Sequence, residues 1–282
     1  MASHPESDVL DIAAVEAEVC SPAGGIISVW TINRPDKLNA LNSDVNAALK
    51  QACEWAEQAD EVRVIVIRGA SPNQPPEGKR AKPNAFVAGA DISEFAGKDS
   101  QQIRQIFEDN VWEAIWNISK PTIAMVDGFA LGGGSEVALS CDLRVASTRS
   151  NFGTPEINLG IIPGGGGTQR LCKLLGYSKA LEMVMTGEMV GAEEAHRIGL
   201  VNHVCDAEEL EATTMALAQT LASKSPHTLR VAKATVRAAL EQPLSQGILT
   251  ERDAFCALFD TEDQEIGVAA FLSRSQPEWK GA

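Results

Sequence analysis

DGFALGGGSEVALSCD, residues 127–142, places three consecutive glycines between a predicted strand and a predicted helix. Residues 121–126 before it are apolar and partly β-branched, which predicts a buried strand. Glycines at such a turn permit unusual backbone dihedrals and let a ligand approach the backbone closely. The helix that follows begins with unpaired N–H groups and the positive end of its dipole. The turn is therefore either a tight turn only, or a site for an oxygen that becomes anionic during a reaction.

Glu136 lies three residues beyond Gly133, about one helical turn along the same face. A carboxylate and an oxyanion donor would then lie side by side, although an acidic residue in a first turn can also serve only the helix dipole. The segment is no nucleotide motif, because it lacks the lysine of GxxxxGK[ST]. Neither it nor the glycines at 164–167 complete GxGxxG.

Two further segments carry candidate chemistry. FGTPEINLG, residues 152–160, places Glu156 after a proline among apolar and glycine residues. A carboxyl group in such surroundings tends to have a raised pKa, which suits a proton donor, but an exposed loop glutamate is an equal alternative. AFVAGADI, residues 85–92, reads as a short strand ending in Gly-Ala-Asp, which can direct the amide of Ala90 toward the same point.

Strand and helix patterns alternate along the first two thirds of the chain. Ser43 is a plausible N-cap for a helix to about residue 59, and a second helix is predicted over 100–118, where Trp112 and Trp116 pack in the core or line a ligand pocket. Beyond about residue 206 helical periodicity dominates. The sequence thus predicts a loose tail over residues 1–15, an α/β core over 16–205 and a helical C-terminal region over 206–282.

Composition narrows the classes of function. The chain has 282 residues, 44% hydrophobic, and 24 basic against 38 acidic residues, a net charge of -14. This balance excludes disorder along the whole length and disfavours nucleic acid as a partner. An anionic small molecule would need local donors and cations.

The N-terminus has no signal-peptide or transit-peptide pattern, and no apolar run approaches the length of a membrane span. We therefore expect a soluble cytoplasmic protein without a membrane partner. The four histidines form no ligand array, and we expect no metal. The six cysteines are scattered singly, which predicts free thiols, at positions Cys20, Cys53, Cys141, Cys172, Cys205 and Cys256.

The segments at 85–92, 127–142 and 152–170, together with TGEMVGAEEAHRIGLVNHV at 186–204, resemble the crotonase superfamily and, within it, most closely enoyl-CoA hydratase. The resemblance spans about residues 26–275. It implies an α/β fold built as a spiral of ββα units, followed by a C-terminal helical trimerisation region. It also implies a homotrimer or a homohexamer made as a dimer of trimers.

The resemblance assigns roles to individual residues. The backbone N–H groups of Ala90 and Gly133 match the oxyanion hole for the thioester carbonyl, and Glu136 and Glu156 match the two catalytic carboxylates. Gly164 matches a glycine that lines the pocket near the reacting water. The segments that match the coenzyme A contacts contribute Lys37, Leu38, Ala40, Ala88, Asp91, Ile92 and Ser93. Near the C-terminus, Phe271 and Arg274 sit where some relatives contact coenzyme A bound to a neighbouring subunit.

The implied activity is reversible syn addition of water across the C2=C3 bond of a trans-2-enoyl-CoA. Coenzyme A is then part of the substrate, and no separate cofactor is expected. The alternative is a Δ3,Δ2-enoyl-CoA isomerase, although isomerases of this family generally use one carboxylate. An RNA-binding or non-catalytic role is a further alternative. The RNA-binding branch of this family would be marked by a lysine-rich helix, whereas the helix predicted at 44–59 has Lys50 as its only basic residue.

Residues 71–83 form a loop with four prolines that is longer than is common in the family. Its cations, Lys79, Arg80 and Lys82, either meet the phosphates of coenzyme A or are incidental charges on a solvated loop. The identity of the acyl group does not follow from the sequence.

Overall fold

The computed structural model describes residues 4–19, 24–75, 78–108 and 110–282. These residues form ten strands and eleven α-helices. The strands are β1 (Leu10–Glu16), β2 (Ile26–Ile32), β3 (Val62–Gly69), β4 (Ala85–Val87), β5 (Thr122–Val126), β6 (Phe129–Leu131), β7 (Leu143–Ser147), β8 (Asn151–Gly153), β9 (Val190–Gly191) and β10 (His203–Cys205). The helices are α1 (Ser43–Gln58), α2 (Ser100–Glu108), α3 (Val111–Asn117), α4 (Gly133–Ser140), α5 (Gly167–Leu175), α6 (Tyr177–Thr186), α7 (Ala192–Arg197), α8 (Leu210–Ala222), α9 (Pro226–Ala238), α10 (Leu244–Ala257) and α11 (Glu262–Ser273).

The strands form two sheets. The larger has the order β1-β2-β3-β5-β7-β10 and the smaller β4-β6-β8-β9. Pairing is parallel except for β1 with β2 and β8 with β9. Successive units place one strand in each sheet and then a helix: β3 and β4 precede α2 and α3, β5 and β6 precede α4, and β7 and β8 precede α5. This repetition confirms the predicted spiral of ββα units.

Strand β3 shows why the large sheet is continuously apolar. Ile65 and Ile67 face the main core, which includes the helices of the spiral, whereas Val64 and Val66 face a second core on the opposite side. A strand covered on both faces needs no alternation of polar residues. Helix α8 closes the second core by packing on β2, β3, β5 and β7, so the helical C-terminal region begins in direct contact with the sheet.

The predicted loose tail is wrong at its end. Residues 10–16 form β1, an antiparallel edge strand in register with β2 from Leu10↔Ile32 to Glu16↔Ile26. Residues 1–3 of that prediction lie outside the described residues. The strand escaped sequence analysis because it buries only one side chain fully, Leu10, so its apolar pattern is weak.

The helix predicted over 100–118 is interrupted. Helix α2 ends at Glu108, and α3 begins after Asn110, whose side chain accepts a hydrogen bond from the amide of Glu113. This cap starts a new helix within an apolar pattern that reads as continuous. Residue 109 lies outside the described residues. Similarly, Asn42 rather than the predicted Ser43 caps α1, by accepting from the amide of Val45.

The last strand, β10, ends at Cys205, and the elements that follow it are helical. In the described part of the chain, no helix is both long and apolar enough to cross a bilayer. The five described cysteines are free thiols, as predicted, and Cys20 lies outside the described residues.

Candidate active site

Three neighbouring strands of the small sheet bring the candidate residues together. Strands β4, β6 and β8 are parallel neighbours, so their carboxyl ends meet at one edge of the sheet. Ala90 follows the end of β4, Gly133 follows β6, and Glu156 follows β8. Ligand sites in parallel sheets lie at this edge. The sequence motifs converge because of this topology, although they are far apart in the chain.

The amides of Ala90 and Gly133 lie close together at this edge. A Cβ atom built on Gly133 would be 3.7 Å from the Ala90 nitrogen. The Gly89 carbonyl accepts from the Leu41 amide, and the Asp91 amide donates to the Leu41 carbonyl, which forms a parallel bridge between Leu41 and Ala90. The N–H of Ala90, which lies between these two bonds, therefore points away from Leu41. Among the described residues, no acceptor pairs with the N–H of Ala90 or Gly133. The pair is therefore free to donate to a ligand oxygen.

Two left-handed glycines produce this approach. Gly89 has φ of 105° and Gly132 has φ of 52°, both in the region that side chains with a Cβ atom rarely adopt. Gly132 bends the chain so that β6 leads directly into the first turn of α4. The glycine run thus exposes the N-terminal amides of α4 where an anionic oxygen would be stabilised.

Glu136 is buried in the first turn of α4, with 2% of its surface exposed. Its Oε1 accepts a hydrogen bond from the amide of Gly167 at 2.8 Å. The pKa of Glu136 is raised to about 7, mainly by burial and also by the nearby charge of Glu156, against the opposing effects of the backbone at Gly167 and Gly165 and of the charge of Arg170. The carboxyl group can therefore gain or lose a proton near neutral pH.

Glu156 lies in the 3₁₀ turn Pro155–Leu159 that follows β8. Its Oε1 would be 2.9 Å from a Cβ atom on Gly132, which places the carboxylate against the glycine turn. Its Oε2 is buried and has no hydrogen-bond partner among the described residues. Burial also raises the pKa of Glu156. A buried carboxylate oxygen without a partner is costly in a folded chain and is typical of a group reserved for a ligand.

Aromatic side chains form one wall of the site. The indole Nε1 of Trp112 donates to the Gly133 carbonyl at 2.9 Å, and its ring stacks on Phe107 with the centroids 5.5 Å apart. The Phe107 ring would be 2.8 Å from a Cβ atom on Gly164, and the Trp112 ring would overlap one on Gly165. Trp112 thus belongs to the core and also borders the site, whereas Trp116 contacts Arg170 and Arg237.

The candidate coenzyme A segment lies beside the oxyanion candidates. A 3₁₀ turn, Pro35–Lys37, leads into Leu38, whose carbonyl accepts from the Ala88 amide at 3.0 Å. The carbonyl of Ala40 accepts from Arg34 at 2.6 Å. These bonds connect the segment to the end of β4.

Residues 91–93 form a second small network. Asp91 accepts from Ser93 at 2.7 Å and from Arg34 at 3.2 Å, and both bonds hold the pKa of Asp91 below its usual range. Ile92 next to them is exposed by 47%. All the predicted residues of segments 37–40 and 88–93 therefore lie on connected loops.

Two residues of this region were missed by sequence analysis. Arg34 joins the two segments through Ala40 and Asp91. Asn39 is buried, donates to the carbonyls of Ala70 and Ala85, and accepts from the Arg34 amide. Its place in the motif, between residues assigned to ligand contact, was a signal, but only the structure reveals that its side chain faces the protein.

Other predicted contacts are not joined to the site. Phe271, on α11, is 83% exposed, and Arg274 follows at the end of that helix. Among the described residues, no hydrogen bond, ion pair or ring contact joins either side chain to the residues discussed above. Lys82 bonds to the carbonyl of Asp36, so the end of the Pro-rich loop lies beside the 3₁₀ turn, while residues 76–77 lie outside the described residues. The described residues also contain no cluster of three or more His, Cys, Asp or Glu able to hold a metal.

Comparisons with known proteins agree on one family. The enoyl-CoA hydratase/isomerase family model matches residues 23–282. A short-chain-enoyl-CoA hydratase of Clostridium acetobutylicum is 39% identical over 90% of this chain and 94% of its own. A 2,3-dehydroadipyl-CoA hydratase of Escherichia coli is also 39% identical, over 90% and 95%. The solved structure of enoyl-CoA hydratase from Bacillus anthracis has 30% identity and a TM-score of 0.86, covering 98% of this chain and all of that one.

Proposed function

The chain belongs to the enoyl-CoA hydratase/isomerase family, and on that premise we propose that it hydrates a trans-2-enoyl-CoA thioester. The observation that carries this proposal is the meeting of two carboxyl groups of raised pKa, the buried Glu136 and the partly buried Glu156, with two unpaired amides at one sheet edge. The reaction is a reversible syn addition of water across the C2=C3 bond. Coenzyme A enters as part of the substrate, and the chemistry calls for no other cofactor.

The amides of Ala90 and Gly133 are assigned to the thioester carbonyl. Their hydrogen bonds polarise the conjugated enoyl group, so C3 becomes electrophilic, and they stabilise the enolate-like charge that develops when water attacks. Removing one donor of this kind raises a reaction barrier by about 3 kcal/mol. Because both donors are backbone groups, one on the loop after β4 and one at the start of α4, they need no rearrangement during the reaction.

The two carboxyl groups are assigned to the water and the proton. Glu136 accepts a proton from the water that attacks C3, and Glu156 supplies a proton to C2, with both roles reversed in dehydration. The hydrogen bond from Gly167 orients Glu136, and burial raises the pKa of both carboxyl groups. Positioned acids and bases each contribute roughly 10²- to 10⁴-fold to such reactions.

Glutamine substitutions test this scheme. Glu136→Gln and Glu156→Gln keep the shape of each side chain but remove its capacity for proton transfer. We expect each to lower the turnover of crotonyl-CoA, followed by loss of enoyl thioester absorbance, by at least about 100-fold. Calorimetric titration should show that the ester still binds. Glu188→Gln, at an exposed position, is the matched control and should keep wild-type turnover. Near-wild-type activity in either site variant would contradict the scheme.

The same assay separates hydration from isomerisation. A 3-enoyl-CoA substrate reports double-bond migration, which needs one carboxyl group to move a proton between C2 and C4. If the wild type isomerises the 3-enoyl-CoA ester but hydrates crotonyl-CoA only slowly, and Glu136→Gln keeps the isomerisation, the isomerase assignment replaces the one made here. Fast hydration of crotonyl-CoA by the wild type that is lost in both Glu136→Gln and Glu156→Gln supports the hydratase with two acting carboxyl groups.

We also propose that segments 37–40 and 88–93 bind the coenzyme A part of the substrate. This assignment includes Lys37, Leu38 and Ala40 at the nucleotide end, with Ala88, Asp91, Ile92 and Ser93 along the thioester arm. Lys37→Met removes one cation from a strongly acidic protein. We expect it to raise the KM for crotonyl-CoA several-fold with kcat unchanged, and an unchanged KM would reject the assignment of Lys37.

Large apolar side chains on the C-terminal helices support self-association. Leu244 is 81% exposed, Phe255 61% and Leu272 76%, and an apolar surface of this kind on a folded chain is typical of an interface. We propose that this region forms a homotrimer or a dimer of trimers. In sedimentation velocity, the double variant Leu244→Glu/Phe255→Glu should form smaller particles than the wild type. A wild type that sediments as a monomer would reject the proposal.

The acyl group is the least constrained part of the assignment. The relatives include a short-chain-enoyl-CoA hydratase and a 2,3-dehydroadipyl-CoA hydratase, both 39% identical to this chain. Identity therefore does not discriminate between a short apolar and a longer carboxylated acyl chain. A panel of enoyl-CoA esters that covers both kinds is the direct measurement.

A further inference from the structure

The loop before α5 contacts the carboxyl group of Glu136. The amide of Gly167 donates to Glu136 Oε1 at 2.8 Å, and two residues earlier the carbonyl of Gly165 accepts from Arg170 Nη1 at 2.7 Å. The guanidinium also lies so close to Gly166 that a Cβ atom there would overlap it. Arg170 therefore folds back from the first turn of α5 onto the loop that precedes its own helix.

The guanidinium of Arg170 is itself held by an aromatic ring. It lies 4.9 Å from the ring centroid of Trp116, and the guanidinium of Arg237 lies 3.8 Å from the same centroid. Both distances are within the range of attractive cation–π contacts. Arg237 is anchored in turn by Asp142 at 2.7 Å and by the carbonyl of Trp116. A contiguous set of contacts thus runs from α9 through α3 to the loop that contacts Glu136.

We infer that Arg170 is a positioning residue for Glu136, and that Trp116, supported by Arg237, holds the Arg170 guanidinium in the orientation that fixes the Gly165–Gly167 loop. This inference rests on the proposed function only in so far as Glu136 transfers a proton. A planar guanidinium suits the position because it can donate to a carbonyl while it also lies against an indole ring. Lysine has the charge but not this geometry.

Charge provides a second, separable effect. The positive charge of Arg170 holds down the pKa of Glu136, which burial otherwise raises. Removing the charge should move the acid limb of the kcat profile to higher pH, because Glu136 must be ionised to accept a proton from water. Removing the geometry alone should lower kcat without moving that limb. The two effects distinguish a positioning role from general loss of stability.

Substitutions at Arg170 separate these effects. Arg170→Gln should lower kcat roughly 10- to 100-fold, since small displacements of a catalytic group have effects of this size, and should move the acid limb to higher pH. Arg170→Lys should lower kcat and leave the acid limb in place. KM for crotonyl-CoA should change little in both. Lys173→Gln, one turn further along α5 and exposed, removes the same charge without contacting the loop and should match the wild type.

Substitutions at Trp116 test whether its ring holds the guanidinium of Arg170. Trp116→Leu should lower kcat in the wild-type background and have no further effect in Arg170→Gln, because the ring acts through the guanidinium. Trp116→Phe keeps an aromatic face and should restore part of the activity lost in Trp116→Leu. Multiplicative effects of the two substitutions would overturn the proposed route, as would equal losses in Lys173→Gln and Arg170→Gln.

A measurement without substrate separates this inference from the proposed function. The side-chain carboxyl carbon of Glu136, identified in ¹³C NMR by its absence in Glu136→Gln, can be titrated in the intact protein. Arg170→Gln should raise its pKa, while Lys173→Gln should not. If the wild type hydrates no enoyl-CoA ester, the proposed function fails, and the titration still decides whether Arg170 controls Glu136. An unchanged titration in Arg170→Gln would overturn the inference.

Discussion

Gly134 packs directly against Val87: a Cβ atom on Gly134 would overlap the Val87 carbonyl oxygen and also lie 2.6 Å from the Val87 Cβ. Helix α4 and strand β4 therefore meet through backbone atoms at this point. The contact lies next to the two amides assigned to the oxyanion hole, since Val87 is close to Ala90 in the sequence and Gly134 directly follows Gly133. The spacing of those amides is thus set by a glycine that itself touches no substrate.

Gly134→Ala should displace the start of α4 from β4. Inserting a methyl group into well-packed structure typically costs about 1–3 kcal/mol, and here the obstacle is backbone, which has little freedom to yield. We expect a lower thermal midpoint and a loss of kcat, because the Gly133 amide moves away from that of Ala90. Gly191→Ala is the matched control, because its nearest neighbour would be 4.0 Å away. Equal stability of the two variants would contradict this account of α4.

Asn39→Ala should destabilise the loop that carries the candidate coenzyme A contacts. Asn39 is 1% exposed, and its amide nitrogen donates to Ala70 and Ala85 at 2.9 and 2.8 Å. Leaving buried carbonyls without donors costs about 1–3 kcal/mol. Its φ of 57° adds to the effect, because asparagine tolerates that conformation better than alanine. Denaturant unfolding and the KM for crotonyl-CoA measure the two consequences.

Asn33→Ala is the comparison for Asn39, since Asn33 makes an exposed bond to Asp11. It should leave both the free energy of unfolding and KM near their wild-type values. If Asn39→Ala lowers stability but not affinity, the loop does not contact the coenzyme A part of the substrate. The proposed role of residues 37–40 in binding coenzyme A then fails.

The convergence of Ala90, Gly133 and Glu136 could be predicted because each lies in a motif whose local pattern gives strand, turn and helix. The position of Glu156 was foreseen only through family resemblance. Its neighbour in space, Gly132, is 24 residues away in the sequence, and only the pairing of β6 with β8 brings the two together.

Features that depend on side-chain contacts between distant elements could not be read from the sequence. Arg170 looks like an ordinary cation of an amphipathic helix, and its bond to Gly165 requires the loop to turn back. The start of α3 was in principle visible, because Asn110 and Glu113 resemble a helix-capping pair. The unbroken apolar periodicity on both sides of it favoured one continuous helix instead.

Phe107→Ala should change the preference for acyl length. The Phe107 ring stacks on Trp112 and lies against Gly164, at the aromatic wall next to the candidate site. Removing it opens space there, so kcat/KM should rise for longer enoyl chains relative to crotonyl-CoA. Ile106→Ala, the neighbouring position on α2, serves as the control. The same chain-length profile in both variants would show that the acyl group does not extend toward Phe107.

Glu136 also makes the stability of the protein depend on pH. Its pKa rises from an ordinary 4.5 to about 7 in the folded chain, mainly because the charged form is buried. The folded state therefore binds this proton more tightly than the unfolded state. The resulting stability is fully present below pH 4.5 and is lost as the pH rises through about 7. The two pKa values differ by an amount worth roughly 3 kcal/mol.

Glu136→Gln should remove this dependence, because glutamine is neutral at every pH and its oxygen can still accept from Gly167. Urea unfolding at pH 5 and pH 8 gives the free energy of unfolding of the variant relative to the wild type. This difference should be more favourable to the variant at pH 8 than at pH 5, by up to about 3 kcal/mol. Glu188→Gln removes an exposed carboxylate and should follow the wild type at both. If the difference in free energy of unfolding between Glu136→Gln and wild type is the same at both pH values, Glu136 ionises as readily in the folded chain as in the unfolded one. Its proposed exchange of a proton near neutral pH would then lose its physical basis.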